Sequence, residues 1–298
     1  MPATSIRDLV IKNDDLVIGT HGRSFWILDD ITPLRQISSS LTGLPAILYK
    51  PQTTYRVRWS MYPDTPLPQE EPAGQNPPDG AIINYYLGSN ATNVKLEIVN
   101  SKGIVIRTYA SSDTLYKVPD NNVPSYWIRP QQIISGNAGA HRFTWDMHYQ
   151  PLNVPAAYPI SATFMNTVPD PSSPWVMPGM YTARLIVDNK TYNQLFTVKM
   201  DPRVKTSAKD VTLQHDLSLM CYNNIQKCMQ ALNTISISQN NKWADLEKDI
   251  KKLLSTFNSI QNILQDSDMP PTTQTIKAAK DAETGFVMMW AKWLALQK

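Results

Sequence analysis

Two cysteines in 298 residues leave no room for a disulfide framework or a cysteine-rich metal site. They lie seven apart, at Cys221 and Cys228. In a helix that is two turns, about 10 Å of rise, beyond disulfide reach, so they read as small core residues. No apolar run reaches the 18 residues that a membrane span needs. Charge of one sign is also missing. Lys and Arg number 28 against 25 Asp and Glu, with 16 of each up to Pro202 and 12 against 9 beyond it. Neither part is basic enough for a phosphate backbone, and no nucleic-acid motif is present. A Gly-rich phosphate loop, G-x-S-x-G and C-x-x-C are absent as well. The first residues, Met1 to Ser5, carry no basic or apolar leader pattern.

Proline and glycine are scarce in one place only. Of 23 prolines 21 lie at or before Pro202, as do 10 of 11 glycines. After it the hydrophobic period becomes 3.6, through Leu213, Leu217, Cys221, Ile225, Cys228, Leu232 and Ile235, then Trp243 to Leu264, then Ile276 to Leu296. Ser207 with Asp210 resembles a capping box, and Pro270-Pro271 separates the last two helices. Residues 203–298 are therefore expected to form a three-helix antiparallel bundle.

The earlier part reads as strands. Ile6 to Lys12, Leu16 to Ile18 and Ser24 to Leu28, separated by Asn13-Asp14 and Thr20 to Arg23, predict a three-stranded meander. Such a sheet is marginal alone. A short helix is expected from Leu34 to Leu41, after Pro33. Residues 45–80 hold eight prolines and read as an extended strap or stiff spacer, or as a polyproline ligand for another domain. Residues 81–202 contain six or seven strand-like runs, among them Ile82 to Leu87, Val94 to Val99, Ile104 to Tyr109, His141 to Asp146, Tyr181 to Val187 and Tyr192 to Val198. These predict an antiparallel β-sandwich with a Pro-rich surface insertion at 149–178.

The run Asp14-Asp15-Leu16-Val17-Ile18-Gly19-Thr20-His21-Gly22-Arg23-Ser24-Phe25-Trp26-Ile27-Leu28-Asp29-Asp30 resembles the closing blade of bacterial BNR-repeat, sortilin-like β-propeller proteins, which often carry the label glycosyl hydrolase. Asn76 to Ala81, His141 to Asp146, Pro178 to Tyr181 and Met200 to Arg203 continue the likeness in order. A second pattern, Tyr85-Tyr86-Leu87, Val94 to Ile98, Gly103, Ile106-Arg107, Gly139, Trp145-Asp146 and Pro178 to Tyr181, resembles the immunoglobulin-like module of flagellar hook-capping proteins. This chain departs from it by the long insertion after Asp146. The resemblance implies propeller blades upstream of residue 1 or a partner that supplies them, a periplasmic or extracellular setting, and a glycan or peptide ligand. It divides the chain into a blade remnant with a short helix at 1–44, the spacer at 45–80, the Ig-like sandwich at 81–202 and the bundle at 203–298.

Catalytic chemistry is not visible. No Asp-box occurs, and glycoside hydrolysis needs two carboxylates about 5 to 10 Å apart across one site. Asp29-Asp30 and Glu70-Glu71 are sequence neighbours that point apart in extended chain and read as turn and cap residues. His141, Asp146 and His148 have a metal-like spacing, but a strand puts His141 on one face and the other two on the opposite face, so no metal site is expected. No cofactor is implied. His21 and Arg23, on the meander turn, are the candidate ligand-binding residues, Arg23 as a bidentate partner for a carboxylate. The expected function is a non-catalytic accessory or interaction region of a propeller protein. The alternatives are part of a glycoside hydrolase with its catalytic residues in other blades, and a peptide-binding sortilin-like propeller.

Overall fold

The computed structural model of the chain describes residues 3–39, 43–58, 74, 77–120, 124–158, 167–238 and 243–296. The order is β then α, in two compact units. The first comprises residues 1–150, 155–170 and 178–201; the second comprises 151–154, 171–177 and 202–298.

In the first unit, β1 (Ile6–Lys12), β2 (Asp15–Thr20) and β3 (Phe25–Leu28) form the antiparallel meander that the sequence predicts. Asn13 turns the first hairpin with φ +55°, and Gly22 and Ser24 turn the second in the same left-handed region. The helix that follows, α1 (Thr32–Gln36), is shorter than the eight residues expected, with Pro33 in its first turn. Gln36 closes it: its amide donates to the Lys50 carbonyl at 3.0 Å and accepts from the Lys50 N–H at 2.8 Å. Those bonds draw the chain away from the helix.

Two further sheets face each other. One holds β4 (Ala46–Leu48), β6 (Ala81–Leu87) and β9 (Gly139–Trp145) in the order β4-β6-β9. The other holds β5 (Thr54–Arg56), β7 (Val94–Asn100), β8 (Val105–Ala110), β10 (Gly179–Val187) and β11 (Lys190–Met200) in the order β5-β11-β10-β7-β8. The six runs named between 81 and 202 all form strands, at the lower end of the six or seven expected. Asp188 and Asn189 make the tight β10–β11 turn with both φ positive.

Two short strands come from the proline-rich stretch at 45–80. β4 pairs antiparallel with β6, and β5 pairs parallel with β11, so this sheet is mixed rather than purely antiparallel. Proline disfavours helix and leaves extended chain, and extended chain can cover a sheet edge. The other prolines of that stretch, Pro63 to Pro72, lie outside the described residues.

The shared core is aromatic and branched. Trp145, Tyr85, Ile83, Leu87, Leu96, Ile98 and Leu185 are fully buried. The Trp145 ring from one sheet meets Tyr181 at 5.6 Å and Phe196 at 6.0 Å from the other. Its indole N–H donates to the His148 carbonyl at 3.0 Å.

The second unit is built on three long helices, α2 (Ala208–Ser238), α3 (Ala244–Gln265) and α4 (Thr273–Leu296). Ser207 caps α2, its hydroxyl accepting from the Asp210 N–H at 3.2 Å and bonding the Asp210 carboxylate at 2.7 Å. The helices run antiparallel. Gln214 near the start of α2 donates to the Leu264 carbonyl near the end of α3 at 2.6 Å, and Trp243 at the start of α3 meets Trp293 near the end of α4 at 5.1 Å. Cys221, Cys228, Ile225, Ile250, Phe257, Ala279 and Phe286 form the core.

The stripe of α2 differs from the sequence expectation in its first turns. Gln214 and Ser218 are buried there, beside partly exposed Leu213 and Leu217. The reason is hydrogen bonding, since both polar groups find partners on α3. The ends of the 149–178 insertion belong to this unit. Gln261 donates to the Ser172 carbonyl at 3.1 Å, Gln265 accepts from the Trp175 N–H at 2.8 Å, and Leu152 packs in the helical core.

Candidate functional site

The feature that stands apart is the meander. Cross-strand pairing puts Leu9, Ile18 and Trp26 in one row, and Ile11, Leu16 and Leu28 in the next, on one face. The opposite face carries Val10, Val17 and Ile27 in one row, with Asp8, Gly19 and Phe25 in another and Lys12 opposite Asp15 at the rim. Sheets that meet water on one side alternate apolar with polar residues. This one is apolar on its first face, and its second carries Val10, Val17, Phe25 and Ile27 beside the charged Asp8, Lys12 and Asp15. Both faces are also open: Leu9 is 51% exposed and Ile11 53% on the first, Phe25 79% and Ile27 61% on the second. Among the described residues the three strands pair only with one another.

The meander is nonetheless firmly rooted at one end. Asp30, almost fully buried and at φ +53°, is the centre of the joint. Its backbone N–H donates to the Asp15 carboxylate at 2.9 Å, and the next residue's N–H donates to the Asp14 carbonyl at 2.7 Å. One carboxylate oxygen of Asp30 accepts from the Thr32 N–H at 3.1 Å; the other accepts from the Asn84 side-chain amide of β6 at 2.8 Å. Arg142 of β9 donates to the Asn84 side-chain oxygen at 3.1 Å and to the Asp30 carbonyl at 3.0 Å. A buried carboxylate needs such compensation. Beside it, burial and the neighbouring Asp15 charge raise the Asp29 pKa above the usual carboxylate range, against the opposing charge of Arg142. Asp30 holds the turn into α1 through the Thr32 N–H, although no side chain caps that helix at Ile31, and it also spans to a sheet; Glu70-Glu71 lies outside the described residues. The sequence reading missed Asn84 and Arg142. A lone amide within the apolar run Ile82 to Leu87 was the available signal, because a polar side chain there must find a partner.

The candidate ligand-binding residues lie two apart on one turn. His21 and Arg23 are both exposed on the β2–β3 turn. Their backbones serve the meander, the His21 N–H donating to the Ser5 carbonyl at 2.9 Å and the Arg23 carbonyl accepting the Trp26 indole N–H at 2.8 Å. His141 bonds the Asn137 carbonyl at 2.6 Å and stacks on Tyr85. His148 is buried beside Asp146, its Nδ1 within 2.8 Å of the Asp146 carbonyl, and burial pushes its pKa down to about 4. Among the described residues, no group of three or more His, Cys, Asp or Glu is placed to hold a metal ion.

Among the described residues, each unit has a shallow cleft. The first, of about 470 Å³, is lined by Asp14, Thr32, Arg35, Gln36 and Lys50 among others. Its polar groups serve the fold: Arg35 pairs with Asp14 at 3.3 Å and Gln36 holds the Lys50 backbone. The second, of about 340 Å³, lies on α2 and α4 and includes Asp216, Asn224, Lys227 and Glu283. The Lys227 ammonium sits 5.7 Å from the Phe286 ring. Cys221 and Cys228 are buried and unbridged, and burial raises both thiol pKa values to about 12, which keeps them protonated and poorly nucleophilic.

No protein-family model matches the chain, and no curated protein matches it in sequence. Among solved structures, CopC from Methylosinus trichosporium OB3b is aligned at 10% identity over 43% of this chain and 81% of its own, with a TM-score of 0.20. A likeness of that degree carries no argument about fold or activity. Among the described residues, no helix is long and apolar enough to cross a membrane.

Proposed function

We propose that this chain is the non-catalytic C-terminal accessory region of a BNR-repeat, sortilin-like β-propeller protein, with β1 to β3 as strands of its last blade. One observation carries the reading: a sheet with exposed apolar rows on both faces, anchored at one end by a buried polar joint. A blade of a propeller is a small antiparallel sheet whose faces pack on neighbouring blades. On this reading the two facing sheets form the Ig-like module, and they and the helical unit act as support or present a binding surface.

The motif run from Asp14 to Asp30 supports the same assignment, because its Leu-Asp-Asp end supplies the Asp30 joint. Two measurements test the proposal. The in-frame coding sequence upstream of residue 1 should encode further blades, and a gene product without them would refute it. Purified chain should leave aryl-glycosides uncleaved; cleavage abolished by replacing a carboxylate within this chain would make it a catalytic domain instead.

A further inference from the structure

We infer that residues 171–177 are a latch that couples the helical unit to β10, so that loosening this strand loosens the packing of α2 and α3. The latch does not depend on the propeller reading.

The segment has no ladder of its own. Pro171 to Met177 forms no helix or strand, and it belongs to the helical unit. Pro171 and Pro174 bring no N–H to bond with. The segment nonetheless lies inside, with Ser173 2% and Val176 0% exposed. Side chains of α3 hold its backbone. Gln261 donates to the Ser172 carbonyl at 3.1 Å, and Gln265 accepts from the Trp175 N–H at 2.8 Å. The two glutamines stand four residues apart. That is about 6 Å along a helix, close to the rise of two extended residues. One side of α3 therefore grips two backbone groups of the segment beside it.

The same side chains tie the helices together. The Gln265 amide donates to the Ser218 hydroxyl of α2 at 2.7 Å, and that hydroxyl donates to the Gln214 carbonyl at 2.8 Å. Gln214, Ser218 and Gln261 are all buried. A continuous run of bonds thus leads from Trp175 through α3 into α2. Withdrawing the segment strands buried amides, which is costly. The closed form is itself incomplete: Gln261 Oε1 is buried with no partner among the described residues. That unmade bond raises the energy of the closed form and is relieved when water enters. The network is therefore poised nearer to release than a complete one.

Both flanks of the segment belong to the first unit. Before it, the Asp170 N–H donates to the Ala157 carbonyl at 2.7 Å. After it, only Pro178 separates Met177 from Gly179, the first residue of β10. A link of one residue has almost no slack, and proline stiffens it. The position of Trp175 is thus set by β10, which β7 and β11 hold on either side.

The test perturbs β10 in the full chain and follows the helices by native-state amide exchange. Leu185→Ala removes a fully buried side chain six residues beyond Gly179. Exchange in β7 and β10 should quicken at least about tenfold. Through the latch, the amides of Phe257, Ile260 and Leu264 in α3 should quicken at least about fivefold. With Gln261→Leu and Gln265→Leu already present, Leu185→Ala should change those α3 amides less than about twofold. If the glutamine variants lose helical circular dichroism, Trp175→Pro replaces them; it removes the latch N–H and leaves the helices unaltered. If Leu185→Ala does not fold, Val187→Ala makes a milder perturbation of the same strand. Unchanged α3 exchange beside faster β7 and β10 exchange would overturn the inference. Equal quickening of α3 with the latch released would show that the coupling takes another route, and would overturn it as well.

Discussion

Replacing Asp30 by Asn should release the meander while the facing sheets stay folded. Asp30 is 2% exposed and its two carboxylate oxygens accept from two residues, one oxygen from the Thr32 N–H and hydroxyl, the other from the Asn84 amide. An asparagine tolerates the left-handed φ of +53° and fills the same space. It has one acceptor oxygen, however, and must turn its NH2 toward one of the two residues. A hydrogen bond to a charged group contributes about 1.5 to 3 kcal/mol, and a stranded buried donor costs about 1 to 3 kcal/mol. Allowing for overlap between those terms, the variant should lose about 2 to 4 kcal/mol. Asp30→Ala removes all three bonds and adds about 1 kcal/mol of left-handed strain, so it should lose more. Native-state hydrogen exchange resolves where the loss falls. The amides of β1 to β3 should exchange faster by the corresponding factor, roughly 30-fold to 1,000-fold. Those of β7 and β10 should change little. A double-mutant cycle with Asn84→Ala should show coupling of at least about 1 kcal/mol. An Asp30→Asn protein within about 0.5 kcal/mol of wild type would refute the role of the joint.

Three further outcomes follow from a buried histidine, a close backbone approach and two buried thiols. His148 has its folded pKa lowered to about 4 by burial, against an unfolded value near 6.5. The unfolded state therefore binds the proton first, and stability should fall as pH drops from about 6.5 to 4, by an amount on the order of 3 kcal/mol. Urea titrations at pH 7 and 4.5 should show that loss reduced in His148→Gln; an equal loss in the variant would assign it elsewhere. Gly80 sits at φ +140°, where an added Cβ would collide with the Trp145 carbonyl and the Thr144 side chain. Gly80→Ala should cost roughly 3 kcal/mol, from backbone strain and overpacking together, and a neutral result in chemical denaturation would show that β9 can shift. Cys221 and Cys228, buried with raised thiol pKa values, should resist alkylation at pH 8 in native protein and react fully in denaturant. Rapid native labelling would mean that the helices open readily.

Much of this architecture is legible in the chain because local rules coincide with the outcome. The switch at Pro202 from proline-punctuated strands to a 3.6-residue period marks three long helices, and Ser207 caps the first of them. Asn13, Asp188 and Asn189 stand at the left-handed turn positions that close their hairpins. The candidate site was less legible. His21 and Arg23 drew attention by side-chain chemistry, yet the feature that sets the meander apart is an arrangement of ordinary Leu, Ile, Val and Phe residues. Their significance lies in what fails to cover them.

Alternation and period by themselves thus determined which residues become strands and helices, and the Asp14 to Asp30 run determined a meander. Tertiary structure alone decided the rest. It placed β4 and β5 from the proline-rich stretch at sheet positions, with β5 parallel to β11. It assigned the ends of the 149–178 insertion to the helical unit. It joined Asp30 to Asn84, 54 residues away, and to Arg142, 112 residues away. Hydrophobic period reports only the neighbours within a turn or a pleat. Edge pairing, buried polar networks and the openness of a face depend on groups distant in sequence, whose meeting is settled by the packing of the whole unit.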